Sequence, residues 1–130
     1  MDFKRYLLRL RLHRLDDCPV EANLLLHELM PGSEVKSGYL RINDTDCCWH
    51  TWLETKDVEV IDIGYELAIL KDPEFRNCKV ERLMEKPETG EVHEDRELIE
   101  RFNGPIADFW KTAPKQFRDF RSKFKRSLNK

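Results

Sequence analysis

The stretch Gly38 to Asp62, GYLRINDTDCCWHTWLETKDVEVID, decides the fold. Tyr39, Leu40 and Ile42 mark a strand from Gly38 to Asn43, and Asn43-Asp44-Thr45-Asp46 is a run of turn formers, so the order predicts a hairpin. Cys47 to Glu54 is its return strand. Successive strand side chains point to opposite faces, which puts Cys48, His50, Trp52 and Glu54 on one face and Cys47, Trp49, Thr51 and Leu53 on the other. Thr55-Lys56-Asp57 turns the chain again, into a third strand from Asp57 to Ile63 with Val58, Val60 and Asp62 on one face. On adjacent antiparallel strands His50 and Asp62 become cross-strand neighbours, close enough for the carboxylate to hold the imidazole. These are two of the three groups of a nucleophilic triad.

Upstream, Asp16-Asp17-Cys18-Pro19-Val20-Glu21 leads into an apolar helix with Leu24, Leu25, Leu26 and Leu29. Proline suits the first turn of a helix, so Cys18 falls at the N-cap. The free amides and positive dipole end at that point favour a thiolate, which predicts a thiol pKa below its free value of about 8.5.

The order Cys18, Gly38-Tyr39, His50-Thr51-Trp52 and Val60-Ile61-Asp62 resembles the transglutaminase-like branch of the papain-type cysteine protease superfamily. The resemblance spans Asp16 to Gly64. It implies a cysteine at the head of a helix, a Gly-Tyr strand, an H-x-W strand and a short strand ending in aspartate. It implies Cys18 as nucleophile, His50 as base and Asp62 as the orienting acid, acting on an amide, ester or thioester through an acyl-thioester. Pro19 departs from the small or aromatic residues common after the family's cysteine. Around this triad, Trp49, Trp52 and Tyr39 are the candidate substrate-binding residues. The Cys18 amide and His13 are the candidate oxyanion donors. Cys48 is a rival nucleophile on the His50 face, without a helix dipole to activate it. Cys47, Cys48 and His50 offer metal ligands, but zinc sites usually pair C-x2-C with a second pair downstream, and the chain has none. No metal and no cofactor are expected.

The flanks predict helices. Phe3, Tyr6, Leu7 and Leu10 repeat at helical spacing to about Arg14, and the second helix runs from Pro19 to Met30, stopped by Pro31-Gly32. After Asp62, Ile63-Gly64-Tyr65 continues or breaks the strand, and Glu66 to Leu70 reads as another strand or a short helical turn. Asn77 to Met84 reads as a further strand and Glu85 to Gly90 as a surface loop. Glu94 to Phe102, Ile106 to Lys111 and a last helix after Ala113-Pro114, with Phe117, Phe120 and Phe124 inward, form a helical section over 92–130. The whole is a single α+β domain, 1–130: N-terminal helices on an antiparallel sheet of about four or five strands, with C-terminal helices.

With 130 residues, 40% of them hydrophobic, the chain supports one core. The net charge of −2 names no partner by itself. Four cysteines at 18, 47, 48 and 78 lack disulfide-like spacing, no apolar run reaches a membrane span of about 18 residues, and the Arg-rich start lacks a secretory apolar core. A cytoplasmic protein acting on a peptide or protein is expected. The alternative is an inactive scaffold of the same type that binds a partner or an anionic surface through its basic C-terminal helix, nucleic acid being the less favoured partner.

Overall fold

The computed structural model describes residues 3–86, 88–92 and 96–128. Its chain begins with α1 (Phe3–Leu12) and α2 (Pro19–Leu29), followed by β1 (Glu34–Ile42), β2 (Thr45–Glu54) and the two-residue β3 (Val60–Ile61). Next come α3 (Ile63–Lys71), a 3-10 turn (Pro73–Asn77) and β4 (Val80–Leu83). The chain closes with α4 (Arg96–Phe102), α5 (Ile106–Thr112) and α6 (Lys115–Ser127). Among the described residues the strands form one antiparallel sheet in the order β3-β2-β1-β4. The fold is α+β, as expected.

The hairpin turns on two residues. Asn43 and Asp44 have φ of 50° and 62°, the left-handed pair that matches the twist of a two-residue loop, and Ile42 pairs with Thr45. Asn43 also ties the hairpin to β4: its amide donates to the Lys79 carbonyl and its side chain accepts from the Lys79 amide, each at 2.8 Å. β1 lies so close to β4 that a Cβ at Gly38 would sit 2.1 Å from the Leu83 carbonyl oxygen. Only glycine passes there.

One sheet face packs on the helices. Val35 and Leu53 join Tyr6, Leu10, Leu24 to Leu26, Phe102 and Phe124 in one apolar cluster. Within it the rings of Phe102, Phe109 and Phe117 meet edge to face, with centroids 4.6 to 5.9 Å apart, the arrangement favoured by aromatic quadrupoles. Burying each phenylalanine is worth about 1.5–3 kcal/mol. The other face carries Leu40 against Tyr65 and Ile69 of α3. Asn103, just after α4, hydrogen-bonds the Val35 backbone in both directions, at 2.7 and 2.9 Å. It serves β1 at a position that the short β4 does not reach.

Three expectations are corrected. The strand from Asp57 to Ile63 shrinks to Val60–Ile61, because Val58 adopts a left-handed φ of 62° and lies exposed. Ile63 to Lys71 is a nine-residue helix rather than a continued strand or a short helical turn, so Asp62, expected at the end of a strand, is the helix N-cap. The first strand starts four residues earlier than the alternation indicated, at Glu34. The start of the helix over 94–102 and the face taken by the Cys47 side chain lie outside the described residues.

Candidate active site

The site forms where three elements end. β3 pairs only with Leu53 and Glu54 of β2, so the edge of β2 at His50 and Thr51 is left to the starts of α2 and α3. Beyond the end of β3 the Thr51 carbonyl accepts instead from the side chain of Asn23, at 3.3 Å. The same Asn23 amide donates to the Pro19 carbonyl at 2.8 Å, pinning the first turn of α2 against the strand. Asn23 is fully buried and anchors the helix that Cys18 heads.

His50 and Asp62 meet as expected. The imidazole Nε2 lies 2.7 Å from both carboxylate oxygens. Asp62 is held from two further sides: the Tyr65 amide donates to Oδ1 at 2.9 Å, as an N-cap requires, and Arg82 Nε donates to Oδ2 at 2.8 Å. Burial acts to raise the Asp62 pKa, but the hydrogen bond and charge of His50, the Tyr65 amide and Arg82 outweigh it and hold the carboxyl below its usual value. With Nε2 committed to Asp62, the ring nitrogen left to face a reacting group is Nδ1. Trp52 stacks beside the ring, centroids 6.3 Å apart and planes 24° from parallel.

Gly64 brings the helix start to this pair. A Cβ at Gly64 would stand 3.1 Å from His50 Cε1, 3.8 Å from Asp62 Oδ1 and 3.8 Å from Pro19 Cβ. The ring and the residue after Cys18 therefore flank the same point, separated by the space a glycine leaves open.

Cys18 is the N-cap of α2 and is partly buried. Its thiol donates to Asp17 Oδ1 at 3.4 Å and forms no hydrogen bond to His50. Burial, then the hydrogen bond to Asp17 and the charges of Glu21 and Asp17, push the thiol up to about 11, with Lys123 acting the other way. This overturns the expected lowering. The helix end is there, but burial of the sulfur, and after it the acidic residues around it, outweigh it.

The remaining candidates are scattered. Tyr39 pairs with Trp49 across the hairpin, rings 5.6 Å apart, and the pleat places both on the face opposite His50. Trp52 alone of the three aromatic candidates shares the face of the ring. His13 lies just past α1 and lines an outer groove with Arg5, Leu8, Arg9 and Leu12; its backbone bonds to Arg9. Cys48 is exposed. Among the described residues no three His, Cys, Asp or Glu side chains cluster to hold a metal ion. The sequence reading missed Arg82, Gly64 and Asp17. An arginine in a four-residue strand was the available signal for the first.

No protein-family model, no curated protein and no solved structure matches the chain.

Proposed function

We propose that the protein is a cysteine hydrolase or acyltransferase of the transglutaminase-like type, acting on a peptide, amide or thioester carbonyl. The observation that supports this most is the His50–Asp62 pair. It is held by Arg82 and the Tyr65 amide and abuts, across Gly64, the turn that Cys18 heads.

In this reading His50 Nδ1 takes the proton of the Cys18 thiol as sulfur bonds to the substrate carbonyl carbon. Because the resting thiol sits at about 11, the proton moves with the attack rather than before it. Asp62 fixes the ring orientation and stabilises the imidazolium. Arg82 is a positioning residue that acts through Asp62. The oxyanion takes the Cys18 amide, and since Pro19 has no N–H, Val20 supplies the next amide along the helix start. His50 then protonates the leaving amine or thiol, the C–N or C–S bond breaks, and an acyl group remains on Cys18. Water or an amine, deprotonated by His50, attacks that thioester and releases Cys18. Peptide or protein substrates follow from the reaction type. No helix is long and apolar enough to cross a membrane among the described residues, and Cys18, Cys48 and Cys78 are free thiols, which supports a reducing, cytoplasmic setting.

One observation favours a second reading, a catalytically inactive scaffold of the same type: the thiol bonds to Asp17 and is raised, not lowered. Acylation by a phenyl thioester near neutral pH, mapped by mass, separates the two. The enzyme reading requires Cys18 to acylate faster than Cys47, Cys48 and Cys78 and to lose that advantage in His50→Ala. Equal, His50-independent rates at all four cysteines leave the scaffold.

A further inference from the structure

Residues 1–15 and 115–130 together hold twelve of the chain's 23 lysines and arginines but two of its 25 acidic residues. The near-neutral net charge of −2 therefore hides a strong separation between the two ends and the middle. The fold brings those ends together. Tyr6 of α1 packs on Phe124 of α6 with ring centroids 5.3 Å apart, and Arg9 donates to the Ser127 carbonyl at 2.9 Å. The outward sides of the two helices thus lie next to one another.

That outward side also carries apolar groups that the core does not use. Tyr6, Leu7 and Leu10 of α1 turn inward, while Leu8 is 60% and Leu12 77% exposed, one helical turn apart, and Leu128 at the end of α6 is 48% exposed. On a helix of 3.6 residues per turn, Leu8 and Leu12 stand between Arg5 and Arg11. Among the described residues none of Arg5, Arg11 and Arg126 has a carboxylate within ion-pair distance.

We infer that the joined outer faces of α1 and α6 form a docking surface for an anionic lipid bilayer, with Leu8, Leu12 and Leu128 entering the headgroup boundary and Arg5, Arg11 and Arg126 contacting lipid phosphates. Cations around exposed leucines match a surface that is charged outside and apolar beneath, where long basic stems lie along the boundary. A nucleic-acid backbone has the phosphates but offers nothing to leucines on the crest of the patch. The attraction is between exposed charges, so it is screened as salt rises.

Co-sedimentation with phosphatidylcholine vesicles, with and without phosphatidylserine, tests this on the whole chain. The expected result is binding only to the phosphatidylserine vesicles, lost on raising salt, and weakened at least about tenfold by Arg5→Glu with Arg11→Glu. Leu8→Ser with Leu12→Ser weakens binding at unchanged charge. All four positions are exposed, so circular dichroism and melting temperature stay as in the wild type, and the comparison of lipids and salt needs no variant. Binding to neither vesicle, equal binding to both, or leucine-independent binding displaced by single-stranded RNA each overturns the inference, the last in favour of a nucleic-acid surface.

Discussion

Gly64→Ala separates the candidate chemistry from the fold. The added Cβ would lie 3.1 Å from His50 Cε1, whereas carbon atoms at rest sit about 3.5–4.0 Å apart, so the ring must retreat by about 0.5 Å. The contacts to Asp62 Oδ1 and Pro19 Cβ, at 3.8 Å each, are ordinary, so the strain falls on the imidazole. Gly64 is in α3 without a left-handed φ, and alanine is the better helix former by up to about 1 kcal/mol, which offsets the crowding. The melting temperature should therefore move by no more than about 4 °C. The chemistry should not be spared. A misplacement of about 1 Å costs about 100-fold where geometry is demanding, so half of that costs about tenfold. The assay is acylation of Cys18 by a phenyl thioester, read by intact mass, alongside the NMR shift of the His50 Cε1 proton. A displaced His50 signal with unchanged acylation would refute the view that this ring serves Cys18. An unmoved signal would refute the contact itself.

At Gly38 the obstacle is backbone: the new Cβ meets the Leu83 carbonyl oxygen at 2.1 Å and Trp52 at 2.9 Å. Gly38→Ala should cost more than about 3 kcal/mol in denaturant unfolding, and a loss below about 1 kcal/mol would count against the close crossing of β1 and β4. Asn23→Ala removes the hydrogen bond that ties α2 to β2 at Thr51 and the one within α2 to Pro19, and should cost about 1–3 kcal/mol by urea unfolding, with unchanged stability as the contrary result. The Asp62 pKa is lowered in the folded state, so the stability it contributes is present above the ordinary carboxylate value and is lost as pH falls through the lowered one. Asp62→Asn should accordingly shrink the difference between unfolding free energies at neutral and acid pH; an undiminished difference places the acid sensitivity elsewhere. Asp17→Asn keeps an acceptor near the thiol but removes a charge, so the pH midpoint of Cys18 alkylation should drop from about 11. An unmoved midpoint would remove the Asp17 charge from the causes and leave burial, the hydrogen bond and Glu21.

Much of the architecture is written in local pattern. Pro19 before the leucine run, Pro31-Gly32 after it, and Phe117, Phe120 and Phe124 at helical spacing place α2 and α6 within a residue or two of where they stand. The hairpin follows from Asn43-Asp44, residues that tolerate the left-handed backbone most side chains resist. α3 was ambiguous for a physical reason. Ile63, Tyr65, Leu67 and Ile69 are all buried, and a helix covered on more than one side shows the every-second-residue pattern of a strand. Its start depends on Asp62 accepting from the Tyr65 amide, a role that an aspartate at the end of an apolar run does not advertise.

The site divides along the same line, between what residue type and order carry and what only neighbours in space supply. His50 and Asp62 meet because β3 pairs antiparallel with the last residues of β2 and the chain leaving it carries Asp62 back alongside His50, which two turns and an alternation are enough to indicate. The state of Cys18 could not be read that way. A helix N-terminus is worth about 0.3–1 kcal/mol to a negative charge, less than the roughly 1.4 kcal/mol of one pKa unit. Against it stand burial of the sulfur and the carboxylates of Asp17 and Glu21, which push the thiol up to about 11. The dipole loses by its size. Both carboxylates are plain in the sequence, on either side of Cys18, but whether they turn toward the sulfur is a matter of side-chain direction. The Asp17 hydrogen bond at 3.4 Å is what decides it. In the proposed enzyme the thiol hydrogen bond changes partners, from Asp17 to His50, and the proton then moves as sulfur attacks. That exchange, rather than the assembly of the histidine–aspartate pair, is where the proposed enzyme and the scaffold reading part.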